Sequence, residues 1–248
     1  MSDLTLAAAQ APSKKGDLDR NVAEHVRFID AAGSMGVDLL VFPELSLTGY
    51  ELDSASALPL SHSDCRIEPL RNAAMQHDMH VLVGGPLQSD LEKPYLAAFL
   101  LSSGPTICYA KMHVHESEQP YFASGVQGCT VDVRGATIGV AVCADTGFPS
   151  HAAEAAACGA QLYVASVMKT ESEFSVHAEK LAGYAVRHRM AVLTSNYAGV
   201  SGGSISAGRS GFWDERGRLV VQAPNNRHAL VLARRGEDGW SGEVISEL

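Results

Sequence analysis

The sequence predicts an α/β protein with mixed sheets, α+β in the order of its elements, and three features of the chain lead there. Short apolar, β-branched runs alternate with amphipathic helical stretches through the first half. Turn signals set hairpins among the strands in the middle and at the end, which calls for antiparallel as well as parallel pairs. Neither a Pro/Ser/Gly-rich linker nor a charge run divides the 248 residues. The whole chain, 1–248, is therefore expected to form one domain, a mixed sheet or two sheets with helices on their outer faces.

Each element rests on its own signal. Residues 4–9 alternate into a short apolar strand, and 18–35 follow with the helical spacing of Leu18, Val22, Val26 and Ile29. Residues 37–42 form a compact strand that runs into Pro43-Glu44-Leu45. A helix is expected over 63–77 and a strand over 81–84. Strands 95–101 and 106–111 are joined by Ser102-Ser103-Gly104-Pro105, a good hairpin turn. Strands 131–133 and 136–142 turn at Arg134-Gly135, and the Ala-rich stretch 151–158 reads as a helix ending at Gly159. A strand at 162–167, a helix at 173–188 and a strand at 191–195 come next, with hairpins across 205–232.

Composition narrows the function. Twenty-eight acidic against 19 basic residues give a net charge of −9, spread along the chain, which disfavours nucleic acid and anionic membranes as partners. The opening Met1-Ser2-Asp3-Leu4-Thr5-Leu6-Ala7 carries no positive region ahead of a long apolar stretch, and no segment reaches transmembrane length. A cytoplasmic protein without membrane contact is expected. Five cysteines with no C-x-x-C pair argue against a disulfide framework or thiolate zinc site and fit reduced thiols.

Three polar residues stand where apolar strands end. Residues 138–142 stop at Cys143, followed by turn residues and Ala-rich helical sequence. A strand-to-helix turn there is expected to hold the thiol exposed, with backbone N–H groups nearby that lower its pKa and supply oxyanion donors. Glu44 follows the strand at 37–42, and Lys111 follows the apolar run 107–110. Taken singly, a buried cysteine is usually a small hydrophobe, and an exposed Glu or Lys is usually a solvated surface group. If the strands run the same way in one sheet, the three side chains converge at one edge. A carboxylate in an apolar pocket then takes the thiol proton, the thiolate attacks a carbonyl or nitrile carbon, and the ammonium stabilises the charge that develops.

Phe42-Pro43-Glu44-Leu45-Ser46-Leu47-Thr48-Gly49-Tyr50, Tyr109-Ala110-Lys111-Met112-His113 and Val142-Cys143-Ala144-Asp145 resemble, in order, the three catalytic motifs of the nitrilase, or carbon–nitrogen hydrolase, superfamily. Leu6-Ala7-Ala8-Ala9-Gln10 is similar to the family's first strand, and 208–217 to its late G-x-S hairpin, so the resemblance covers nearly the whole chain. It implies a four-layer α-β-β-α sandwich that pairs with a second subunit, hence a homodimer or higher homo-oligomer. It implies Glu44 as general base, Lys111 as oxyanion stabiliser and Cys143 as nucleophile. A second family glutamate falls on Glu118, preferred over its neighbour Glu116 for its spacing to Tyr121-Phe122. The chain departs from the family at Phe148-Pro149-Ser150-His151-Ala152-Ala153, where many relatives carry Glu and Arg in place of Ser150 and Ala153. Another departure is Tyr184-Ala185-Val186-Arg187-His188, where many have R-A-x-E-N.

Pocket residues are expected from loops 46–58, 116–125 and 168–173, with Tyr50, His113, Ala144 and Met168 as substrate-binding candidates. His113-Val114-His115 and His77-Asp78-Met79-His80 have metal-like spacings but no third ligand in pattern, so no metal and no cofactor is expected. Ser210 and His228 lack the G-x-S-x-G elbow of a serine triad. The reading is a cofactor-independent thiol amidohydrolase acting on a small amide or carbamoyl compound through a thioester on Cys143. An amidase is expected rather than a true nitrilase, since the compact chain resembles family members without the long C-terminal extension typical of nitrilases. An acyltransferase with the same site, or a non-catalytic binding member of the fold, are the alternatives.

Overall fold

Period-two alternation in the first strand decides the layering. In β1 (Leu4–Gln10), Leu4, Leu6 and Ala8 join one apolar cluster while Ala7 and Ala9 join another. A strand that buries both faces lies between two layers. The computed structural model of the chain describes residues 3–247.

The first sheet runs β15 (Gly239–Ile245), β14 (Ala229–Gly236), β1, β2 (Leu39–Val41), β3 (His80–Leu87), β4 (Tyr95–Leu101) and β5 (Ile107–Ala110). Strands β1, β2 and β3 are parallel; β4 opposes β3, and β5 opposes β4, so β5 points the same way as β2. The second sheet runs β13 (Leu219–Gln222), β12 (Gly211–Trp213), β9 (Ala191–Ser195), β8 (Leu162–Ser166), β7 (Ala136–Val142) and β6 (Cys129–Val133), parallel from β7 to β9 with hairpins at both edges. A small hairpin, β10 (Val200–Ser201) with β11 (Ser204–Ile205), stands apart.

Helices α1 (Leu18–Ser34) and α3 (Glu68–Gln76) bury Phe28, Ile29 and Leu70 against Leu40, Val81 and Val83 on the outer face of the first sheet. The short α2 (Leu52–Ser56) follows the Glu44 loop. Helices α4 (Pro149–Ala157) and α5 (Glu171–His188) pack Ala152, Ala155, Leu181 and Ala185 into the cluster that holds the second sheet and the inner face of the first. The result is the four-layer α-β-β-α sandwich.

Several elements differ from the sequence expectation; β3 runs on to Leu87, and three others show why. The helix expected over 63–77 is a 3₁₀ turn (Cys65–Ile67) followed by α3, because Pro69 is confined to a helix's first turn. Helix α5 starts two residues early: Thr170 caps it and Glu173 returns a bond to the Thr170 N–H at 3.0 Å. The hairpins continue past 232, since β15 pairs with β14 from Leu230 to Gly236. Among the described residues no helix is long and apolar enough to cross a membrane.

Candidate active site

Pro43 offers no N–H to the ladder, so β2 gives way to a tight turn whose Ser46 N–H reaches Pro43 O at 3.2 Å. Leu45 takes a left-handed φ of 51° inside that turn, and Glu44 ends fully buried. The turn is pinned from several sides. The Tyr197 hydroxyl donates to Glu44 O at 2.5 Å, and His25 stacks on Phe42 with ring centroids 4.0 Å apart. His25 Nδ1 donates to Asn21 O at 2.7 Å, so its Nε2 accepts from Ser46 Oγ at 2.9 Å.

Lys111 leaves the end of β5 with no exposed surface, its ammonium between two carboxylates. It donates to Glu44 Oε1 at 2.6 Å and lies 2.8 and 2.7 Å from the two oxygens of Glu118. Glu118 also accepts from the Tyr50 hydroxyl at 2.6 Å and the His115 N–H at 2.7 Å. Glu44 Oε2, by contrast, is buried and accepts no hydrogen bond among the described residues. Of the two carboxylates, Glu44 is the one with an oxygen free to receive a proton. Burial drives its carboxyl up to about 7; the Lys111 charge pulls it down and the Glu118 charge pushes it up again. Burial works against the Lys111 charge, but the neighbouring carboxylates, Glu44 first, outweigh it and hold the ammonium above its ordinary range.

Cys143 follows β7 directly and has a φ of 39°, a left-handed conformation that costs a side-chain-bearing residue about 1–2 kcal/mol. Asp145 holds that turn. Its Oδ2 accepts from the Val142 N–H at 3.0 Å and the Tyr109 hydroxyl at 2.7 Å, and its Oδ1 from the His113 N–H at 2.9 Å. The segment bearing the thiol is thereby tied to the segment bearing Lys111. The thiol points toward Met168 O, 3.7 Å away.

Two sequence expectations are corrected here. The three strand ends do not share one sheet: β2 and β5 belong to the first and β7 to the second, so the trio meets across the inter-sheet seam. Sheet membership is decided by long-range pairing, which a local apolar run does not encode. The thiol is not held exposed with a lowered pKa either. Cys143 is buried, and that burial, with the Glu44 charge, pushes it up to about 12. A proton acceptor is therefore needed at neutral pH, and the unpartnered Glu44 oxygen can be one.

A cavity of about 190 Å³ opens onto Cys143, and Tyr50, Glu118, Ala144, Met168 and Lys169 are in its wall. His113, expected beside them, is not in that wall: its Nδ1 sits 2.9 Å from Asp145 Oδ1 and its ring stacks on Phe148 at 3.8 Å. Glu116 is exposed. Where relatives carry Glu and Arg, the neighbouring His151 is buried within 2.8 Å of both the Tyr109 and Tyr163 hydroxyls. Ser210 Oγ binds the backbone of Asn196. Asp145 stands in the quoted motif without a role assigned from sequence, and Lys169 lies within the expected pocket loop 168–173 without being singled out.

Comparison with known proteins agrees with this architecture. Residues 5–236 match the family model described as carbon-nitrogen hydrolase. A glutamine-dependent NAD(+) synthetase of Xylella fastidiosa is 29% identical over 227 residues, which cover 87% of this chain and 41% of that protein. The chain thus spans less than half the length of such synthetases. An (R)-stereoselective amidase of a Pseudomonas species is 26% identical over 92% of this chain and 85% of its own. The solved structure of a cysteine-to-alanine mutant of the amidase from Nesterenkonia sp. AN1, in complex with butyramide, superposes with a TM-score of 0.86 at 24% identity, covering 93% of this chain and 90% of that one. The chain belongs to the carbon–nitrogen hydrolase family.

Proposed function

We propose that the protein is an amidase that hydrolyses a small, non-peptide amide through a thioester on Cys143. The observation that carries this reading is the bare Glu44 Oε2 beside a buried, protonated thiol, with Lys111 bonded to the other oxygen. Glu44 takes the thiol proton as sulfur bonds to the amide carbon. The carbonyl electron pair moves onto oxygen, where Lys111 and the N–H of Ala144 stabilise it. Collapse expels the amine, which leaves as ammonia with the proton from Glu44. Water then gives a proton to Glu44 and adds to the thioester; collapse frees the acid, and sulfur recovers its proton. Glu118 holds Lys111 in place rather than exchanging protons, since its two oxygens are already occupied by Lys111, Tyr50 and His115.

The names of the relatives support amide chemistry: one is an amidase, and others are glutamine-dependent synthetases. Carbamoyl compounds, nitriles and acyl acceptors other than water are the competing substrates of the same site. Ammonia release across a panel of small amides, carbamoyl compounds and nitriles, run beside Cys143→Ala, tests the proposal. Release from amides that needs Cys143 supports it; release from nitriles alone would replace it with a nitrilase.

A further inference from the structure

Lys169 follows β8 and lines the same cavity as Cys143. Its backbone is clamped: the N–H donates to Asn196 Oδ1 at 3.0 Å, and the carbonyl accepts from Asn196 Nδ2 at 3.0 Å and the Ala207 N–H at 2.8 Å. The preceding residue, Met168, supplies the carbonyl that faces the thiol. The lysine side chain therefore starts from a fixed point one residue from the nucleophile, and it is only 18% exposed.

The charges around the cavity leave this ammonium under-used. Glu118 is saturated by Lys111, Tyr50 and His115. Glu173 Oε2 is occupied by the Thr170 N–H at 3.0 Å and hydroxyl at 2.7 Å. Lys169 reaches only Glu173 Oε1, at 3.5 Å, the outer limit of a hydrogen bond. An ammonium carries three donors, so two of them have no partner among the described residues. Hydroxyls of Ser117, Thr170 and Ser204 share the same wall.

We propose that Lys169 reads an anionic group on the substrate, and that the cavity takes a short primary amide whose acyl chain ends in a carboxylate. This rests on the amidase reading above. A carboxylate a few bonds from the scissile carbon matches a cation anchored one residue from the thiol, and it offers acceptors for both spare donors. The acyl chain stays on Cys143 after the amine departs, so Lys169 holds the same group through both half-reactions. A cavity of about 190 Å³ admits a chain of a few carbons.

The test compares succinamate with its uncharged isostere 4-methylpentanamide, by ammonia release, in the wild type, Lys169→Met and Lys169→Arg. Wild type should favour succinamate in kcat/KM by roughly ten- to a hundredfold, the range of a charge-assisted hydrogen bond. The preference should collapse in Lys169→Met and survive in part in Lys169→Arg. A ratio that stays constant while both rates fall would overturn the proposal, because Lys169 would then act on the thiol. Preference for the uncharged amide would overturn it too. Should other amides of the panel be hydrolysed but not succinamate, the inference alone fails; should no amide be hydrolysed, the amidase reading fails first.

Discussion

The Lys111 ammonium and the Glu118 carboxylate meet through two contacts, 2.8 and 2.7 Å, and neither side chain has any exposed surface. Glu44 adds a third contact at 2.6 Å, so one cation serves two anions in a seam without water-exposed charge. Taking one anion away costs both stability and position, since breaking a buried pair typically costs about 3–5 kcal/mol. Glu118→Gln keeps the shape but removes the charge, which leaves Glu44 as the one anion bonded to Lys111. It should lower kcat by about 10–100-fold with a smaller change in KM, and lower the unfolding free energy by about 2–3 kcal/mol. Steady-state kinetics and urea unfolding on the same preparation check this.

The pH dependence follows from where the shared proton sits. Burial brings the Glu44 carboxyl up to about 7, and the base must be ionised to accept the thiol proton. Hence kcat/KM should climb as pH rises through about 7. With the thiol pushed up to about 12, no separate thiolate limb is expected below pH 9. Iodoacetamide should alkylate Cys143 along the Glu44 limb in the wild type, and lose that limb in Glu44→Gln. Alkylation with a thiolate limb near pH 6 in both proteins would contradict the assignment.

His25 links the Glu44 turn to acid stability. Burial pulls this histidine down to about 4, against the hydrogen bond to Asn21 O, which acts the other way. Unfolding restores the ordinary value near 6.5, so the unfolded chain binds the extra proton first, and stability falls as pH drops from 6.5 toward 4. At pH 5 this amounts to about 2 kcal/mol relative to neutral pH. His25→Gln should flatten the difference between unfolding midpoints at pH 7 and pH 5.

Gly84 lies under the same turn. A Cβ there would stand 2.6 Å from Pro43 O and press on Leu45 N, both backbone atoms that flank Glu44. Gly84→Ala should therefore destabilise the fold by about 1–3 kcal/mol, and should reduce kcat by displacing Glu44. Full activity with unchanged stability in that variant would show that the turn yields more freely than its hydrogen bonds suggest.

Much of this fold was legible because its strands are short apolar runs bounded by turn chemistry. β9 falls on the expected residues, as does β7, and α1 misses by one residue at its end. The positions of Glu44, Lys111 and Cys143 at strand ends were legible for the same reason. Which strands belong to which of the two expected sheets was not, because β6 to β9 have the same local character as β1 to β5, and only long-range pairing separates them. Nor was the burial of Cys143, since a strand end gives no hint of the layer that covers it. Lys169 falls in the expected pocket loop 168–173, but its fixed position depends on Asn196 and Ala207, both distant in sequence.

The central claim is a covalent one: an acyl group passes through the sulfur of Cys143 with Glu44 as the proton carrier. Intact-mass spectrometry of enzyme quenched during amide turnover, followed by peptide mapping, tests it most directly. The account predicts a mass increase equal to the acyl group, confined to the peptide that holds Cys143, absent in Cys143→Ala and strongly reduced in Glu44→Gln. Steady ammonia release with no adduct in the wild type, and undiminished in Cys143→Ala, would contradict it.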